Sequence, residues 1–187
     1  MLKARVFALL GLLVSFSAIS APLPGKAVAP SAASSPEYRL GVGDVVRVEV
    51  RDEPDLTIEA QIQADGAIKY PFLGSMVAKG KTVSRFQQDI TSGLRGGYLV
   101  NPDVRVRVVA YRPVYVTGQV VRPGGYPYIV GLTVEKAATV AGGFTDRASL
   151  RSIYVVHEGQ SQNDKRKVSL DAQVLPGDTI IVEESFF

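Results

Sequence analysis

One segment limits what this chain can fold into more than any other: Tyr38-Arg39-Leu40-Gly41-Val42-Gly43-Asp44, which runs directly into Val45-Val46-Arg47-Val48-Glu49-Val50. Gly41 and Gly43 admit backbone angles closed to other residues, and the Asp44 carboxylate can accept from nearby backbone N–H groups, so the heptad reads as a tight turn. Beyond it Val46, Val48 and Val50 alternate with Arg47, Glu49 and Arg51, the period of a strand with one buried face. A shorter echo comes near the end, where Leu175-Pro176-Gly177-Asp178 leads into the apolar Thr179-Ile180-Ile181-Val182. Two such launches in 187 residues predict two small β-rich units laid end to end.

Ahead of the first turn, residues 1–20 read as a cleaved export signal. Lys3 and Arg5 precede an apolar run at 6–16, and the small residues Ser17-Ala18-Ile19-Ser20-Ala21 offer a cut after Ser20, Pro22 disfavouring one after Ala21. The run falls short of the roughly 20 apolar residues of a spanning helix. Of 21 Lys and Arg residues, losing these two leaves 19 against 18 Asp and Glu. A nearly neutral mature chain does not point to nucleic acid. Residues 21–37, rich in Pro, Ala and Ser without periodicity, predict a disordered tether. With no Cys there is no disulfide framework, no thiolate chemistry and no acyl anchor on a lipidated N-terminus.

The first unit is expected over 38–111. Segments 56–63 and 67–74, joined through Asp65-Gly66, read as a hairpin. Thr82 caps a helix whose Val83, Phe86, Ile90 and Leu94 share one face, ended by Gly96-Gly97. After Asn101-Pro102 comes Val104-Arg105-Val106-Arg107-Val108, whose Val face must be buried and whose Arg face meets water or a partner. The second unit, 112–187, opens with a strand at 114–120. A Pro123-Gly124-Gly125 turn leads to a strand at 126–130, and Thr133 caps a short helix carrying Val134, Ala137, Ala138 and Ala141. Strands are then expected at 152–157, 167–170 and 179–182. Strand, hairpin, helix and further strands is the order of a β-grasp.

These residues carry a family resemblance. Tyr38 to Asp44, Asp65-Gly66 with Tyr70-Pro71-Phe72-Leu73-Gly74, and Asn101-Pro102-Asp103-Val104 come first. Val116-Thr117-Gly118-Gln119-Val120 with Pro123-Gly124-Gly125-Tyr126, Ala141-Gly142-Gly143, and Leu175-Pro176-Gly177-Asp178 follow. In that order, over 38–183, they resemble the Wza-type outer-membrane polysaccharide export family. The departures are Val42 where the family often has Pro, Gln119 where it often has Glu, and the missing lipid-bearing Cys. The resemblance implies an α+β chain, a small β-rich polysaccharide export domain followed by a soluble-ligand-binding β-grasp (SLBB) domain. It further implies a periplasmic protein, associated or not with the outer membrane, forming homo-oligomeric rings around a polysaccharide. Its partners would be an inner-membrane co-polymerase and a separate outer-membrane pore, because the chain ends at Glu183-Glu184-Ser185-Phe186-Phe187 without a pore-forming helix. No enzyme activity and no cofactor are implied.

Among single residues, His157 is the one histidine and lacks the companions of a triad or zinc site, so it reads as structural or solvent-facing. Asp44 and Asp178 invite comparison with a glycosidase pair, yet turn capping accounts for each. Gly41, Gly43, Asp44, Gly124, Gly177 and Asp178 are therefore assigned as structural turn residues. Arg105, Arg107, Tyr111, Arg112 and Tyr115 gather near the boundary of the units. They read either as a solvated face or as a surface for an acidic glycan or a neighbouring subunit, since Arg pairs with carboxylates in two-point fashion. Alternatives to a ring-forming exporter are a monomeric glycan-binding or sensing module and a polysaccharide hydrolase or lyase.

Overall fold

Alternating valines build the first sheet. The computed structural model describes residues 38–185, all within one compact unit, Pro36–Phe187. The predicted export signal and tether lie outside the described residues. Strand β1 (Val45–Val50) is the middle of an antiparallel sheet, with β2 (Ile58–Gln61) on one side and β5 (Val104–Ala110) on the other. Val48 stands between Ile58 and Val106 in register, and Val46 between Ala60 and Val108, so one face is a continuous apolar surface. Helix α1 (Val83–Arg95) covers it. The Thr82 hydroxyl accepts from the Arg85 N–H as predicted, and Phe86, Ile90 and Leu94 are buried.

The Asp65-Gly66 turn forms, with the Asp65 carboxylate accepting from the Ala67 N–H, but it does not join a hairpin ladder. Strand β3 (Ala67–Tyr70) pairs instead with β4 (Gly74–Val77), which the sequence reading missed, while β2 pairs with β1. Pro71-Phe72-Leu73 makes this second turn, with Phe72 in the left-handed region at φ 61°. That places Leu73 against Gly93 of α1, where any side chain would collide with it.

The second half is a five-stranded sheet in the order β7-β6-β10-β8-β9, formed by β6 (Val114–Gly118), β7 (Gly124–Tyr126), β8 (Ala148–Val156), β9 (Arg166–Lys167) and β10 (Thr179–Glu184). β10 runs parallel to β6 and antiparallel to β8, and α2 (Val134–Val140) packs Val134, Ala137 and Ala138 onto the sheet. This is the β-grasp order, so the chain is α+β as expected. Two details differ. The strand predicted at 126–130 lies earlier, with Gly124 paired to Val116. Pro127 has no N–H to continue a ladder, and Ile129 and Val130 are exposed. Gly124 is therefore a strand residue with open space around it, and its assignment as a turn residue is corrected. The strand expected at 167–170 is confined to β9, because Leu170 turns away to accept from the Glu135 N–H at the start of α2.

Two apolar clusters result. One gathers Leu40, Val46, Val48, Phe86, Ile90, Leu94 and Val106, the other Val114, Val116, Ala138, Ile153 and Ile180.

Candidate functional site

The two echoed turns meet. Among the described residues the buried charged side chains are Asp44 and Asp178, 0% and 1% exposed. A buried carboxylate is costly unless its oxygens are satisfied, and both turns meet that demand by the same device. Asp44 Oδ2 accepts from the Gly41 N–H at 2.8 Å, and Asp178 Oδ2 from the Leu175 N–H at 2.9 Å, each three residues back. Gly43 at φ +93° and Gly177 at φ +87° supply the left-handed step just before each acid.

Arg112 joins the turns. Its backbone N–H donates to Asp44 Oδ1 at 2.9 Å and its Nη1 to Asp44 Oδ2 at 3.0 Å. Nη1 also donates to the Tyr38 hydroxyl at 2.8 Å, and that hydroxyl donates to Asp44. Glu158 Oε2 lies 2.5 Å from Arg112 Nε as an ion pair, although it sits off the N–H direction and Nε has no hydrogen-bond partner among the described residues. The guanidinium passes between the glycines of the two turns. A Cβ at Gly41 would overlap it, and one at Gly177 would stand 2.6 Å from Nε. On the other side, His157 Nδ1 is 2.9 Å from Asp178 Oδ1. Beside this network Tyr111 meets Tyr38 and Tyr128 edge-on, with ring centroids 5.1 and 5.2 Å apart. Burial, and then the Asp44 carboxylate, hold the Tyr38 phenol well above its ordinary pKa; burial raises that of Tyr128.

A cleft of about 280 Å³ opens at the edge of this network, lined by Arg39, His157, Glu158, Leu175 and Pro176 among others. Both aspartates are nonetheless closed to solvent and committed to backbone and side-chain donors, which leaves neither free to attack or protonate a sugar. Among the described residues no group of three or more His, Asp and Glu is placed to hold a metal ion, and no helix is long and apolar enough to cross a membrane.

The five predicted surface candidates separate. Arg105 and Arg107 lie exposed on the outer face of β5, and Tyr115 is exposed on β6 with its ring over Gly125. Tyr111 and Arg112 are half-buried; the Arg112 side chain, 14% exposed, is held in the network and lines the cleft beside His157. Burial of Asp44 demands that cation more than solvent does. Sequence reasoning did not pick out Tyr38, His157 and Glu158 as one group. The echo of the two Gly-Asp turns was the available signal, but it carries no information on which residues lie between them.

Comparison with known proteins agrees with this architecture. Residues 32–109 match the polysaccharide biosynthesis/export protein family, and residues 113–167 match the SLBB domain. The chain thus carries a polysaccharide export segment followed in order by an SLBB segment. Relatives similar to it include the exopolysaccharide production protein ExoF of Rhizobium meliloti, 37% identical over 60% of this chain and 30% of that protein. Another is the EPS I polysaccharide export outer membrane protein EpsA of Ralstonia nicotianae, 30% identical over 62% of this chain and 37% of that protein. The chain thus spans about a third of the length of these relatives. Tyr111 and Arg112 fall between the two matched segments.

Proposed function

We propose that the protein is a non-enzymatic component of exopolysaccharide or capsular polysaccharide export. It acts in the periplasm as an oligomer that guides polymer between an inner-membrane co-polymerase and an outer-membrane pore. The observation that carries this reading is the export segment followed in order by the SLBB segment in this chain, together with relatives named for polysaccharide production and export. The junction supports it from the chemical side: the acids that could have formed a glycosidase pair are structural supports for two turns. Repeated contacts between identical subunits close into rings when the rotation permits. Deleting the gene and locating the polymer tests the reading. Polymer retained inside the cell envelope and lost from the surface is expected; normal surface polymer contradicts it.

A second reading, a monomeric module that captures a soluble glycan, is favoured by the cleft beside His157. Light scattering over a concentration series separates the two, since an exporter ring requires a multimer and the capture module stays monomeric throughout.

A further inference from the structure

The outer face of the first sheet carries more like charge than its folding calls for. Arg47 and Arg107 stand directly opposite one another in register on β1 and β5. Like charges so placed oppose strand pairing. Arg105, two residues along β5, faces the same way opposite Glu49. Three guanidinium groups thus share one strip, and Glu49 serves two of them: its Oε1 lies 3.0 Å from Arg47 Nε and 2.8 Å from Arg107 Nη2. Glu59 stands across from Arg47 on β2, and neighbouring Arg51 is already paired to Asp103 at 2.8 Å. Arg105 takes no acidic partner among the described residues. It borders, with Glu49, Arg51 and Asp103, a shallow cleft of about 220 Å³. The opposite face of the same strands is buried valine, which anchors the strip, and Arg105 and Arg107 stand about 7 Å apart along the strand.

We infer that this arginine strip is a binding site for an acidic polysaccharide, whose carboxylates complete the donors that Glu49 leaves unused. Guanidinium groups take carboxylates in two-point fashion, and a straight row on a rigid strand suits an extended polymer with repeating acidic groups. An acidic protein partner would offer the same charge without the repeat, which makes the polymer the better match. The inference rests on the proposed export role and narrows it to charged polymers.

The test is calorimetric titration of the full chain with an oligogalacturonate and with a malto-oligosaccharide of equal length, at low and high salt. The acidic oligomer is expected to bind, to weaken as salt rises, and to outcompete the neutral one. The double variant Arg105→Gln, Arg107→Gln should bind it on the order of tenfold more weakly with the unfolding temperature retained, since Glu49 keeps Arg47. Arg105→Lys with Arg107→Lys should fall between. Equal binding of both sugars, unchanged affinity in the glutamine variant, or a change in self-association without a change in sugar binding overturns the inference. A gene-deletion strain keeps the two claims apart. If the glutamine variant binds normally while deletion still strips polymer from the surface, the strip is wrong and the export role stands. If deletion leaves surface polymer intact while the strip binds acidic sugar as described, the export role is wrong.

Discussion

Asp44 spends one carboxylate on a turn, on a backbone amide 68 positions away and on that residue's guanidinium. Replacing it with Asn keeps the shape, but it removes the charge opposite Arg112 and turns one acceptor into a donor. Breaking one side of a buried pair costs about 3–5 kcal/mol, so Asp44→Asn should unfold at markedly lower denaturant in a chemical melt. The glycines give a sharper contrast. Gly177 is left-handed and a Cβ there would press on Arg112 and Glu158, whereas Gly124 is extended in open space. Gly177→Ala should therefore cost about 2 kcal/mol or more, and Gly124→Ala should stay within about 0.5 kcal/mol of wild type. Equal losses at the two positions would show that the second turn does not grip Arg112.

At the scale of elements, local rules carried much of the fold. Both helices were legible because a Thr cap, apolar positions three and four apart and a following Gly pair all agree, as with Thr82, Phe86, Ile90 and Gly96. β1 and β5 were legible because each alternates valine with charge. Failures came where the choice of partner, not the local pattern, decides. Asp65-Gly66 is a sound turn, yet β2 finds β1 across the Pro54–Leu56 helical turn, and β3 finds β4, whose Gly74-Ser75-Met76-Val77 carries little strand signal. The same limit hid the junction, since Arg112 and Asp44 lie 68 residues apart and His157 and Asp178 lie 21 apart. Tyr70 of β3 ties its hairpin to that helical turn by donating to the Leu56 carbonyl at 2.7 Å. Burial pushes its pKa from 10.0 up to about 12. A folded-state pKa above the unfolded value means the neutral phenol's contribution is full below pH 10 and is lost as pH rises through 12. Thermal melts should show wild type above Tyr70→Phe by about 1 kcal/mol at neutral pH, with the gap narrowing between pH 10 and 12. A gap that stays constant over that range would contradict the assignment.

On the scale of the whole molecule, an export-domain half and an SLBB half are locked by a network made of parts from both: Tyr38 and Asp44 from one, Glu158, Gly177 and the Asp178 turn from the other, with Arg112 between. The Arg112 cation answers the buried Asp44 carboxylate and pairs with the more exposed Glu158, whereas Asp178 is met by His157 and by its own turn. Both buried acids at this junction are committed to turn and side-chain donors, while His157 and Glu158 reach the neighbouring cleft. His157 is the one residue there with an imidazole that chemistry would need, and it can be changed without touching Arg112. The most direct measurement is therefore surface polysaccharide in a deletion strain carrying either wild type or His157→Gln at matched protein levels. The account predicts that both restore surface polymer equally; restoration by wild type alone would show that export depends on the His157 imidazole and would contradict it.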